Sequence, residues 1–62
     1  MKKSTFEKHL KNNHCRIKRE GANHEVWINL RNNKISTVPR HKELKNLLCK
    51  KICKDLDIPI IE

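Results

Sequence analysis

Aromatic residues are almost missing from these 62 residues, which hold one Phe, one Trp and no Tyr. A single Gly and two Pro exclude a collagen-like or low-complexity chain. No apolar run approaches the ~18 residues that a membrane span needs, so no membrane partner is expected. Met1-Lys2-Lys3-Ser4 leads into charge rather than an apolar stretch. That argues against a signal peptide and for a soluble, cytoplasmic product. Carboxylates are scarce, seven against fifteen Lys and Arg. No cluster of them suits a Mg²⁺ nuclease, and the chain has neither a Walker loop nor a nucleophile elbow. Cys15, Cys49 and Cys53 are an odd number, which argues against a disulfide framework. Zinc would need Cys49, Cys53 and two more ligands, such as Cys15 and one of His9, His14 or His41, and the spacing fits no finger or ribbon. Buried free thiols acting as small hydrophobes are the simpler expectation, with no metal and no cofactor.

What the chain does have is positive charge. The net value is +8, spread evenly: residues 1–31 hold eight cations and three anions, residues 32–62 seven and four. This is no basic tail. It suits a folded domain with a positive surface, whose partners are a nucleic-acid backbone, an acidic protein, or both. Residues 1–62 make a single domain, because a chain this short buries only about 60% of its unfolded surface and cannot build a second core.

Ser4-Thr5-Phe6-Glu7 reads as a capping box opening a helix over residues 5–12, with Phe6 and Leu10 on one face. Asn12-Asn13 ends it. From His14 to Glu20, Cys15 and Ile17 alternate with Arg16 and Lys18 as in a half-buried strand. Gly21 marks a turn. Residues 24–30 form the best strand, with His24, Val26, Ile28 and Leu30 on one face and Glu25, Trp27 and Asn29 on the other. Arg31-Asn32-Asn33-Lys34 is a hairpin turn with Asn able to take positive φ. Ile35–Val38 is a short third strand, stopped by Pro39. Leu44, Leu48, Ile52 and Leu56 then recur every four residues, an amphipathic helix over 42–56 with Lys42, Lys45, Lys50, Lys51 and Lys54 on its polar side. The apolar tail after it, with Pro59, should lie against the core. The fold class is α+β: a two-layer α-β-β-β-α arrangement, a three-stranded antiparallel sheet with two helices on one face, the order found in double-stranded-RNA-binding domains.

A protein this small can be an enzyme where one proton acceptor and some fixed cations suffice. RNA is such a substrate, since its 2′-hydroxyl is a built-in nucleophile beside the scissile phosphate. A neutral imidazole takes that proton, and Lys or Arg stabilises the developing charge. His24 is the best candidate, at the strand's start just after the only Gly. Lys18 and Arg19 lie across the hairpin, where they would hold the phosphate. The alternative is a histidine that merely packs at a sheet end. His41, after Pro39-Arg40, is expected at the second helix's start, where Arg40 and the helix terminus would hold a phosphate; a surface histidine is the bland reading. His9 and His14 read as surface residues. Trp27 could stack on a base but fits the core better.

Two motifs carry a family resemblance: Arg19-x-Gly21-x-x-His24, within Ile17–Trp27, and Val38-Pro39-Arg40-His41 before the Leu/Lys helix. From Phe6 to Ile58 the chain resembles the HicA (YcfA-like) toxins, small proteins of type II toxin–antitoxin systems. The resemblance implies a double-stranded-RNA-binding-like fold and an mRNA interferase, a metal-independent endoribonuclease, neutralised by a HicB antitoxin. It implies a free monomer that forms a hetero-complex with the antitoxin. The family's essential histidine falls on His24, its glycine on Gly21, its basic residue on Arg19, and its Pro-Arg-His turn on Pro39, Arg40 and His41. The RNA- or phosphate-binding set is thus Lys18, Arg19, Gly21, Asn23, Arg40 and His41, with His24 catalytic. Ala22-Asn23 stands where many relatives have Gly-Ser or Ser-His, and Asn13-His14 where they often have Asn-Gly. The rival function is a non-catalytic RNA-binding module of the same fold.

Overall fold

Hydrophobic spacing becomes five elements: α1 (Lys3–Asn12), β1 (Cys15–Glu20), β2 (His24–Asn29), β3 (Ile35–Pro39) and α2 (Asn46–Leu56). The structure is a computed structural model and describes residues 1–61. The strands form one antiparallel sheet in the order β1-β2-β3. Phe6 and Leu10 from α1, Trp27 from β2, Val38 from β3, and Cys49, Ile52, Cys53 and Leu56 from α2 form one buried cluster with Cys15 and Leu44. Both helices therefore cover the same face of the sheet, as expected. The three cysteines are free and buried. Burial pushes each thiol above its usual range, so they pack as hydrophobes. Ile58 and Ile61 pack on the core from the tail.

Several local expectations are corrected. α1 starts at Lys3, and the capping box does not form: Lys2 takes the cap position without a side-chain bond. A distant segment satisfies the first amide instead, since the Lys3 N–H donates to the Lys42 carbonyl at 2.9 Å. Lys2 and Glu43 form an antiparallel bridge, and the Leu44 N–H donates to the Met1 carbonyl at 2.8 Å. That pairing holds residues 42–44 out of helical geometry, so α2 begins at Asn46 rather than at 42. Leu44 keeps its place in the core from the loop. His9 is not a free surface residue: its Nε2 donates to the Pro59 carbonyl at 2.7 Å, and its ring stacks on Phe6. Three positions take positive φ without glycine: Asn33 as anticipated, Asp57 at the end of α2, and His14, whose φ is 67°. The first turn thus keeps the left-handed conformation that glycine favours, at a steric cost of about 1–2 kcal/mol for a residue with a Cβ.

The buried face of β2 is polar at two of its three positions, Glu25 and Asn29, with Trp27 between them. Each polar group has a partner. Lys3 Nζ donates to Glu25 Oε2 at 2.8 Å, and Trp27 Nε1 donates to Glu25 Oε1 at 3.0 Å. Asn29 Nδ2 donates to the Leu56 carbonyl at 2.8 Å, satisfying an orphan group at the end of α2. Ser36 on β3 donates to Asp55 at 3.1 Å, tying α2 to the sheet.

Desolvation alone would raise the Glu25 carboxyl. The bonds from Lys3 and Trp27, with the charges of Lys3 and Arg40, outweigh it and hold the group below its usual value of 4.5. A lowered folded value contributes stability that is fully present above about pH 4.5 and lost as pH falls through the folded value. Glu25→Gln should therefore cost ~2 kcal/mol at neutral pH. The gap to wild type should close as the pH falls below 4.5. Asp55, held low first by its bond from Lys51, keeps a residual acid slope in the variant. Urea unfolding at neutral and acid pH checks this; a constant gap would contradict it.

Candidate nucleic-acid interface and catalytic histidine

Alternation along β2 decides where its first residue points. With Glu25, Trp27 and Asn29 buried, His24, Val26 and Ile28 belong to the opposite face, which no helix covers among the described residues. His24 is exposed at the sheet end, paired in register with Pro39. The turn before it is tight. The Gly21 N–H donates to the His24 carbonyl at 2.8 Å, and a Cβ on Gly21 would lie 3.1 Å from that oxygen. Gly21 is thus needed for close approach to the backbone of His24 and not for an unusual φ. The Asn23 carbonyl accepts from the Arg40 N–H at 3.2 Å, which fastens the end of β3 beside the turn.

The cations reach this end by different routes. β1 carries a bulge between Ile17 and Arg19: Ile17 pairs with Trp27, yet Arg19 pairs with Val26. Without that extra residue, Arg19 would oppose Glu25 on the core side. The bulge sets Arg19 beside Val26, on the same open face as His24. It also breaks the simple alternation expected of β1, and Ile17 on this edge strand is 40% exposed. Lys18 and Arg19 line a shallow recess of about 200 Å³ with Val26 and Ile35. Arg40 Nη2 lies 2.8 Å from Glu20 Oε1, an exposed pair across the sheet end. Such a pair contributes ~0–1 kcal/mol, so an incoming phosphate can displace Glu20 at little cost.

The structure therefore brings His24, Gly21, Asn23 and Arg40 together at one end, with Arg19 one rung in and Lys18 at the bulge. His41 is placed differently from expectation. It lies five residues before α2, so neither it nor Arg40 stands at that helix's N-terminus. Together they open a second recess of about 540 Å³, walled by residues 40–43 on one side and Lys2, Lys3 and Ser4 on the other. Lys42, expected on the helix's polar side, and Lys2, not singled out at all, are the additions. Only the long-range pairing of Lys2 with Glu43 brings them together, and local periodicity carries no signal of it. Trp27 is fully buried and cannot stack on a base.

The family model described as HicA toxin of bacterial toxin-antitoxin matches residues 4–58. No curated protein matches the chain, and no solved structure does.

Because the His24 side chain makes no hydrogen bond or ion pair among the described residues and is exposed, His24→Ala should change stability by no more than ~0.5 kcal/mol. Thermal unfolding monitored by circular dichroism checks this. A large loss would make the histidine structural.

Proposed function

Starting from the chain's membership of the HicA toxin family of bacterial toxin–antitoxin systems, we propose that it is a metal-independent mRNA endoribonuclease, acting in the cytoplasm and neutralised by a HicB-like antitoxin. The observation that carries this reading is an exposed imidazole at the mouth of the β1–β2 hairpin, on a sheet face that also carries Arg19, with the Arg40 backbone fastened beside the turn. His24 takes the proton of a 2′-hydroxyl. The 2′-oxygen attacks the adjacent phosphorus, and the bond to the 5′-oxygen breaks. The products are a 2′,3′-cyclic phosphate and a 5′-hydroxyl. Protonated His24, His41 and water are the available donors for the leaving oxygen. Arg40, released from Glu20, and Arg19 with Lys18 stabilise the charge that builds on the phosphorane oxygens.

Gly21 and Asn23 support this chemistry through the backbone. Gly21 holds the His24 carbonyl, and Asn23 holds the Arg40 amide. They are positioning residues in this scheme, whereas Lys18, Arg19 and Arg40 contact the phosphate.

Loss of a general base typically lowers a rate by about 10²–10⁴-fold. His24→Ala should therefore cleave RNA more slowly by that order, no longer arrest growth when expressed, and still bind RNA. Cleavage by His24→Ala at the wild-type rate would overturn the base assignment. Binding without cleavage by the wild type would leave the non-catalytic RNA-binding module.

A further inference from the structure

The larger recess shares Arg40 and His41 with the chemistry at His24 and extends beyond them. Pro39 is the strand partner of His24, and the chain runs from it through Arg40 and His41 to Lys42. At ~3.3–3.6 Å per residue, Lys42 lies within ~10 Å of that partner. Across the recess stand Lys2, Lys3 and Ser4.

The charges of this recess are unevenly matched. Lys3 is committed to Glu25 at 2.8 Å, and that pair is largely buried. Arg40 is shared with Glu20. Glu43, the one carboxylate in the lining, sits 3.3 Å from the Met1 amino group. Lys2 and Lys42 have no ion-pair or side-chain hydrogen-bond partner among the described residues, and both are exposed. The backbone bridge pairs Lys2 with Glu43, and the bond from the Lys3 N–H to the Lys42 carbonyl joins the same two segments, so both lysines line the one recess. Two unpaired ammonium groups held in one open recess attract an anionic chain that passes between them.

We propose that this recess binds the ribose–phosphate backbone of the RNA flanking the cut site, with Lys2 and Lys42 as its phosphate contacts. The inference rests on RNA being the ligand of the His24 site. Arg40 is the hinge of the path: it borders both His24's turn and the recess, so a strand gripped at His24 and continuing past Arg40 enters it. A polyanionic backbone suits two lysines, because an ammonium acts as a point charge that accepts a phosphate in many orientations. Lys2 and Lys42 add affinity without taking part in bond breaking.

The test uses the full chain and a mixed-sequence single-stranded RNA bearing 2′-O-methyl groups throughout, which cannot be cut. Binding is measured against salt for wild type, for Lys2→Ala/Lys42→Ala, and for Lys11→Ala/Lys54→Ala, a control with the same charge loss on the two helices, away from the recess. The slope of log affinity against log salt should fall by about 1.4 in the first double variant, at ~0.7 per phosphate contact, and much less in the control. On cleavable RNA the same variant should show a raised KM with kcat unchanged. Equal slope changes in both variants would overturn the proposal in favour of bulk charge. An unchanged slope, including one accompanied by weakened binding of polyglutamate, would overturn it in favour of an acidic protein or no ligand. Failure of the base assignment reads out elsewhere, in cleavage by His24→Ala, so the two can fail separately. Both lysines are exposed, and circular dichroism confirms that the variants fold.

Discussion

A buried carboxylate fixes this small protein. Glu25 receives Lys3 from α1 on one oxygen and Trp27 from its own strand on the other. Removing the charge of Glu25 costs about 2 kcal/mol, because Lys3 is left without its partner. That is a large share of what a 62-residue chain has to spend. The same contact decides three things at once. It docks the start of α1, locks the indole in the core, and sets the phase of β2.

The phase of β2 is what matters for function. Because Glu25, Trp27 and Asn29 turn inward, His24, Val26 and Ile28 turn outward. A strand slipped by one residue would bury the histidine and expose the tryptophan. The bulge in β1 performs the matching adjustment on the neighbouring strand, moving Arg19 to the open side. A polar network that looks structural thus determines which face carries the imidazole and the cations. The N-terminal pairing of residues 1–3 with 42–44 adds a second consequence, bringing Lys2 and Lys42 into the lining of one recess beyond Arg40.

The sequence carried the element order, the sheet and the helix faces, because Phe6/Leu10 and Ile52/Leu56 follow helical spacing and residues 24–29 are strand-like throughout. The exposed position of His24 after the turn at Gly21 was also legible. Which face of β2 is buried was legible only through Trp27, expected in the core. Its inward side reads Glu-Trp-Asn and its outward side His-Val-Ile, so hydrophobicity points the wrong way and only the tertiary partners Lys3 and the Leu56 carbonyl reverse it. The bulge at Lys18 was hidden because Lys18 and Arg19 are alike in character. The late start of α2 was hidden because Leu44 keeps the four-residue spacing while its backbone pairs with Met1.

The central claim is that an outward-facing imidazole drives attack by the RNA's own 2′-hydroxyl. The fragment ends test it most directly. Incubating purified protein with RNA and analysing the products by mass spectrometry should give 2′,3′-cyclic phosphates and 5′-hydroxyls. Fragments carrying 5′-phosphates and free 3′-hydroxyls would mean that water, and not the neighbouring hydroxyl, attacks the phosphorus, and the account of His24 would be contradicted.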